Sequence, residues 1–472
     1  MKHKNKFLED FAAVVFSNGL VLVSNILTGL VVPKLLGVNN YGYYKVYTLY
    51  LGYVALLHFG FVDGILLKHG GEQYDQLDKK KFRLNTRFFS ALQMLVAVVI
   101  MACSFFFEQP IYRFICVMLG IDTIFTNLTS YYQYVSQCTM RFKELSFRRI
   151  LQAILKSIIV VAFWIIHRFG MMSVLSAYVY ITCLVVIDFL LLLWYVHTYR
   201  DITFGSRVGF KDNKKDLIAY FKSGIILTVA FQVANLVFSL DRQFVSVLFD
   251  NGTYGIYSFA YSLISMATTV IGAVSLVLFP NLKRKSEDKI ISDFSDSMGI
   301  IEVLVFAAHM VYYPLCWFVN WYLPEYSASL SYLQLLFPGL AISSCISVII
   351  FTYYKVLDKN LLYFGICVCV LALSALLNGG AYLVFGTPFS ISAVSLIALM
   401  VWYLLSERYF IKKYHVKWKK NLAYIIVMSS LFYAITYIIH NSIIGTVLYV
   451  LAFAIVTIIF YGKMLKKRLK TI

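Results

Sequence analysis

The chain has 472 residues, of which 60% are hydrophobic and 14% charged, and its mean hydropathy is +0.76. A water-soluble chain of that length needs charged surfaces over several domains, so this composition excludes water as the main solvent. The formal charge of +19 does not mark a nucleic-acid binder, because the cations fall in short clusters between apolar runs and form no stripe along one helix.

In chain order, apolar runs occupy about 11–32, 46–67, 88–107, 111–137, 150–168, 174–196, 217–238, 254–280, 299–320, 330–354, 361–385, 388–408, 421–440 and 443–461. About 20 such residues span the hydrocarbon core. The runs are continuous rather than alternating, which disfavours a β-barrel and leaves helices to satisfy the backbone in lipid. The reading is an all-α integral membrane protein with about 14 transmembrane helices. Lys2–Lys6 ahead of an apolar stretch resembles a signal peptide, but polar Asn18, Ser24 and Asn25 interrupt the stretch and no small-residue cleavage site follows. It reads as a retained first helix.

Lys and Arg concentrate in the N-terminus and in alternate loops, starting with the loop after the second span. The exceptions are Lys34, Lys45, Arg113, Arg168 and Arg242 on the other side, and Lys156 and Lys222 inside spans. The positive-inside bias therefore predicts both termini in the cytoplasm. The 8 cysteines lie within or at the ends of apolar runs with no CxxC spacing, so neither disulfides nor zinc are expected.

Charges inside a bilayer cost roughly 2.5–3.5 kcal/mol each and mark functional surfaces. Lys156, Asp188 and Lys222 fall at similar depth in the cytoplasmic half of spans five, six and seven, with Asp63 and His309 as weaker candidates. Lys156 also has the stem length to snorkel. Arg149, Gln152 and Lys156 share one face, and a Lys156–Asp188 pair between adjacent spans is expected. Polar stripes at helical spacing run through span four (Asp122, Thr126, Ser130, Gln133, Gln137), span seven (Thr228, Gln232, Asn235, Ser239, Arg242) and span eight (Tyr257, Tyr261, Ser265, Thr268). Such stripes either glue helices together or line a hydrated cavity. The candidate cavity residues are Lys156, Lys222, Asp188, Asp122, Gln133, Gln232, Asn235, Arg242 and Tyr261.

A shift along the chain lays Tyr41-Gly42-Tyr43-Tyr44 on Tyr254-Gly255-Ile256-Tyr257, Leu35 on Leu248 and Val32 on Val245 without a gap. The duplication predicts two parallel six-helix halves, an arrangement found in transporters. Pro33-Lys34-Leu35-Leu36-Gly37 with Tyr41-Gly42, Asp241-Arg242 with Tyr254-Gly255-Ile256-Tyr257-Ser258, and Leu278-Phe279-Pro280 resemble the polysaccharide-transporter branch of the MOP superfamily, which includes the Wzx O-antigen flippases. The same glycines and prolines also serve as tight turns where the chain leaves the bilayer. The resemblance implies MATE-like lobes at 1–200 and 214–410, an extra helix pair at 421–472 with a basic cytoplasmic tail, and alternating access. It also implies a lipid-linked oligosaccharide as cargo, in the bacterial cytoplasmic membrane.

No nucleotide, hydrolase or metalloprotease motif is present, so a transporter without cofactor is expected, powered by a coupling ion or the membrane potential. Lys156 and Lys222 would attract a pyrophosphate. The lipid tail is expected against 421–461, and a polysaccharide polymerase or chain-length protein would be a natural partner. Two alternatives stay open: an exporter of amphipathic cations, as in the MATE branch, which an acidic cavity would favour, and a membrane enzyme of polysaccharide assembly, which would need a larger reactive loop than any present.

Overall fold

The computed structural model describes the backbone of residues 2–283 and 287–469, with side chains described outside 1–15, 17, 270, 272–286, 465 and 467–472. The described residues are helical without a strand. They divide into two compact units, 1–235 and 236–472.

The first unit contains α1 (Lys2–Leu51), α2 (Phe61–His69), α3 (Lys79–Ala102), α4 (Pro110–Cys138), α5 (Phe142–Arg168), α6 (Ala177–Thr198), α7 (Arg200–Thr203) and most of α8 (Phe210–Leu248). The starts follow from local chemistry. Asp78 caps α3 by accepting from the Lys80 and Lys81 amides at 3.1 and 3.2 Å, and Pro110 opens α4 where its missing N–H costs nothing. Within α1 the chain kinks at Gly37, whose φ of 64° favours glycine. The expected span 46–67 is therefore not one helix: α1 ends at Leu51, a 3₁₀ turn covers Val54–His58, and α2 resumes after Gly60.

The second unit continues with α9 (Asn251–Lys283), α10 (Glu287–Ser292), α11 (Phe294–Ala308), α12 (Tyr312–Tyr322), α13 (Ser329–Leu336), α14 (Gly339–Ser344), α15 (Phe351–Val356), α16 (Asn360–Phe385), α17 (Pro388–Tyr414), α18 (Lys419–Ile438) and α19 (Ser442–Leu469). Between α14 and α15 the helix widens into a π segment, Cys345–Ile350, so the expected span 330–354 is assembled from several pieces. Helix α16 ends at Gly386 in the left-handed conformation, and the Thr387 hydroxyl caps α17 by accepting from the Ser390 amide.

Among the described residues, twelve helices are long and apolar enough to cross a membrane, against the fourteen expected. The difference has two sources. Span two is broken and partly merged with the first, and the eighth expected span falls on α9, where most side chains from 270 onward, Leu278-Phe279-Pro280 included, lie outside the described residues.

Candidate functional site

The first unit holds a polar cluster built from four helices. Asp122, fully buried on α4, accepts a very short hydrogen bond from the Tyr47 hydroxyl of α1 and a longer one from Thr126 at 3.4 Å. It interacts through space with Asp188 of α6 and Lys156 of α5. Asp188 accepts from Gln152 Nε2 at 3.4 Å and feels the charges of Lys156 and Arg148. Gln133, with its amide oxygen turned to accept, receives Arg148 Nη1 at 3.1 Å and Nε at 3.3 Å. The cluster thus places two carboxylates beside two half-buried cations, Arg148 and Lys156, inside apolar surroundings. Among the described residues no ion pair within 4.0 Å joins Lys156 to Asp188, because the Gln152 amide occupies the short contact instead.

On the same helix α5, Ala153, Ile154, Ser157 and Ile158 face Leu20 and Val23 of α1 across an apolar groove of about 510 Å³. The residue numbers interleave: Gln152 and Lys156 belong to the polar cluster, while 153, 154, 157 and 158 line the groove. Helix α5 therefore presents a polar face and a lipophilic face side by side.

The remaining candidates lie elsewhere. Lys222 is exposed on α8, and no ion pair joins it to the cluster among the described residues. Gln232 is buried and accepts from Asn235 Nδ2 at 3.3 Å. In the second unit Arg242 stacks over the Tyr261 ring at 4.8 Å, and buried Asp241 accepts hydrogen bonds from both Tyr257 and Tyr261. His309 is a core residue, enclosed by Phe306, Phe337 and Phe432 and bonded to the Val305 carbonyl at 2.8 Å.

Several further buried polar groups belong to these units, most of them not singled out from the sequence. Arg148 was counted as a loop cation. Buried Asp63, a weaker candidate, accepts from Thr228 and lies 3.9 Å from His58. Glu302 and Glu407, both fully buried, sit inside the expected spans 299–320 and 388–408. The rule applied to Asp188, that a charge within a span marks function, finds both.

Outside the spans, a polar cavity of about 590 Å³ is lined by Tyr74, Lys79, Arg141, Arg200 and Asp201, among others. Asp201 pairs with Lys79 at 2.5 Å and accepts from the Tyr74 hydroxyl at 2.5 Å. Burial opposes its ionisation, but these bonds outweigh burial and hold the carboxyl below the usual range.

No curated protein is matched by the sequence. Among solved structures, the lipid II flippase MurJ in an inward closed conformation is similar with a TM-score of 0.68 at 14% identity, covering 97% of this chain and 100% of that one. A mutant of the Vibrio cholerae MATE transporter VcmN is similar with a TM-score of 0.57 at 12% identity, covering 87% of this chain and 97% of that one. A MOP superfamily transporter from Pyrococcus furiosus reaches 0.52 at 10% identity, covering 84% of this chain and 95% of that one. These likenesses show that the chain shares the multi-pass helical fold of those transporters. The model for the family described as "polysaccharide biosynthesis protein" matches residues 31–319, more than half of the chain, and the protein therefore belongs to that family.

Proposed function

We propose that the protein is a flippase that carries an undecaprenyl-pyrophosphate-linked oligosaccharide, an O-antigen or capsule repeat unit, across the bacterial cytoplasmic membrane by alternating access. The observation that carries this reading is the two-faced helix α5: Arg148 and Lys156 in a polar cluster, and an apolar groove on the adjoining face. A cargo with an anionic headgroup and a long hydrocarbon tail matches both faces. Guanidinium and ammonium groups suit phosphate oxygens, and the groove gives the tail a second resting place besides the C-terminal helices. On this reading both termini face the cytoplasm, as the distribution of cations suggests. Cysteines introduced singly in 73–80, 207–213 and 412–419 are then labelled by membrane-permeant thiol reagents alone, and labelling of all three by an impermeant reagent in intact cells reverses the orientation.

An exporter of amphipathic cations would favour an acidic cluster, whereas here two cations accompany Asp122 and Asp188 and a third, Arg149, lies next in sequence. Deleting the gene in a background without a second flippase is expected to abolish surface glycan and leave the lipid-linked repeat unit on the inner leaflet. Normal surface glycan with new sensitivity to cationic drugs would instead establish the exporter.

A further inference from the structure

The second unit contains a buried acidic pair that the proposed cargo contacts leave unused. Glu302 of α11 and Glu407 of α17 are 0% and 1% exposed and interact electrostatically with each other. Tyr461 of α19 donates to Glu302 Oε2 at 2.7 Å, and its ring fits there because position 299 is glycine: a Cβ would stand 2.6 Å from the ring. The other oxygens are poorly served. Glu302 Oε1 and Glu407 Oε2 have no well-formed hydrogen bond among the described residues, and neither does the hydroxyl of Tyr403, buried one turn before Glu407 and aimed at the pair.

The π segment brings the Cys345 thiol to both carboxylates. From α18 come Asn421 and Lys420, and Tyr424 also faces Glu302. Lys420 is exposed, with its ammonium 4.3 Å from the centre of the Tyr461 ring, while Arg408 on α17 is exposed as well. Helix α9 adds no charge among its described side chains. Among the described residues no cation lies within 4.0 Å of either carboxylate. Two buried like charges without a counter-ion cannot both persist in such a medium, whereas a proton removes the repulsion and adds a donor. A widened helical turn next to the pair is a feature often found at functional sites.

We propose that Glu302 and Glu407 form a proton-exchange site, closed by Tyr461 and reached from the end of the unit that bears Lys420. This deepens the transport reading, on which its coupling role rests, by naming the ion and the place where it loads. It also gives the C-terminal helices a chemical task, since α18 and α19 supply Asn421 and Tyr461.

The test uses the full-length protein in proteoliposomes and infrared difference spectra recorded on pH jumps, in sodium chloride and in choline chloride. The expected result is a carboxylic-acid carbonyl signal that comes and goes reversibly with pH, is indifferent to sodium, and is lost in Glu302→Gln and in Glu407→Gln. Tyr461→Phe keeps the signal but shifts its frequency, because it deletes one hydrogen bond and no carboxylate. A wild-type spectrum in which the double Gln substitution removes no component, an unshifted band in Tyr461→Phe, or displacement of the removed component by sodium at constant pH each overturns the proposal. Proton exchange by a wild-type protein that supports no glycan export would instead remove the transport reading and leave the site standing.

Discussion

The two units bury their carboxylates in different company. In the first, Asp122 and Asp188 share one cluster with Arg148 and Lys156, so charge is balanced within that cluster, and Asp63 lies apart from it against Thr228 and His58. In the second, Asp241 and Glu302 are met by tyrosine hydroxyls and Glu407 lies beside Glu302, with Arg242 stacked on the Tyr261 ring and Lys420 exposed. Balanced charge holds an anionic headgroup by exchanging partners, whereas acids among hydroxyls change state by gaining or losing protons. On this comparison the first unit is suited to cargo and the second to the coupling ion.

The packing follows the same division, and it offers the largest expected effect. In the first unit Gly60 and Gly64 of a GxxxG sequence meet Gly224 backbone to backbone: a Cβ at Gly224 would stand 1.9 Å from the Gly60 carbonyl oxygen. In the second, a Cβ at Gly445 would stand 2.1 Å from the Tyr313 ring, the far end of a side chain held by its hydroxyl bonds to the Ile435 and Ile439 carbonyls rather than a backbone. Gly224→Ala is therefore expected to cost about 3 kcal/mol or to prevent folding, and Gly445→Ala about 1 kcal/mol. Thermal unfolding in detergent compares them, and equal losses would erase the distinction.

Next in size is the charge balance. Asp188→Asn leaves Arg148 and Lys156 with one carboxylate fewer, an expected loss of about 2 kcal/mol once partial exposure is allowed for. Adding Lys156→Gln should recover part of that loss, and strict additivity of the two changes in a double-mutant cycle would show that the residues do not interact.

These examples show how far the sequence carries. Membrane class, helical content and most span positions follow from hydropathy alone, because twenty apolar residues in lipid leave the backbone no alternative to a helix. The stripe on span eight was legible too: Tyr257 and Tyr261 lie one turn apart and both reach Asp241. The break at 52–60 was not, since Gly60 and Gly64 look like ordinary small residues until the backbone of α8 is seen against them. Tyr47 was hidden among 36 tyrosines, as its bond to Asp122 spans 75 positions. Lys222 is exposed on α8 while Lys156 is half-buried, a difference that period and hydropathy do not show.

The smallest effect belongs to the region outside the spans. Asp201 has a lowered folded-state value, so its contribution is complete above the ordinary carboxylate range and is lost as pH falls through the lowered value. Because Asp201 is about a third exposed, the contribution is under about 1 kcal/mol. Protection factors in segment 73–81, with the intrinsic pH dependence of amide exchange divided out, should fall on acidification in the wild type and show no such acid step in Asp201→Asn.

The central claim is that the Arg148–Lys156 cluster engages an anionic lipid-linked glycan. It is tested most directly by reconstituting the wild type and an Arg148→Gln/Lys156→Gln variant with the purified lipid-linked repeat unit and measuring how much of it becomes accessible to an enzyme outside the vesicles. The account predicts rapid, near-complete accessibility with the wild type and at least a tenfold slower rise with the variant, equivalent to about 1.4 kcal/mol. Equal rates for the two proteins, with the variant correctly folded, would contradict it.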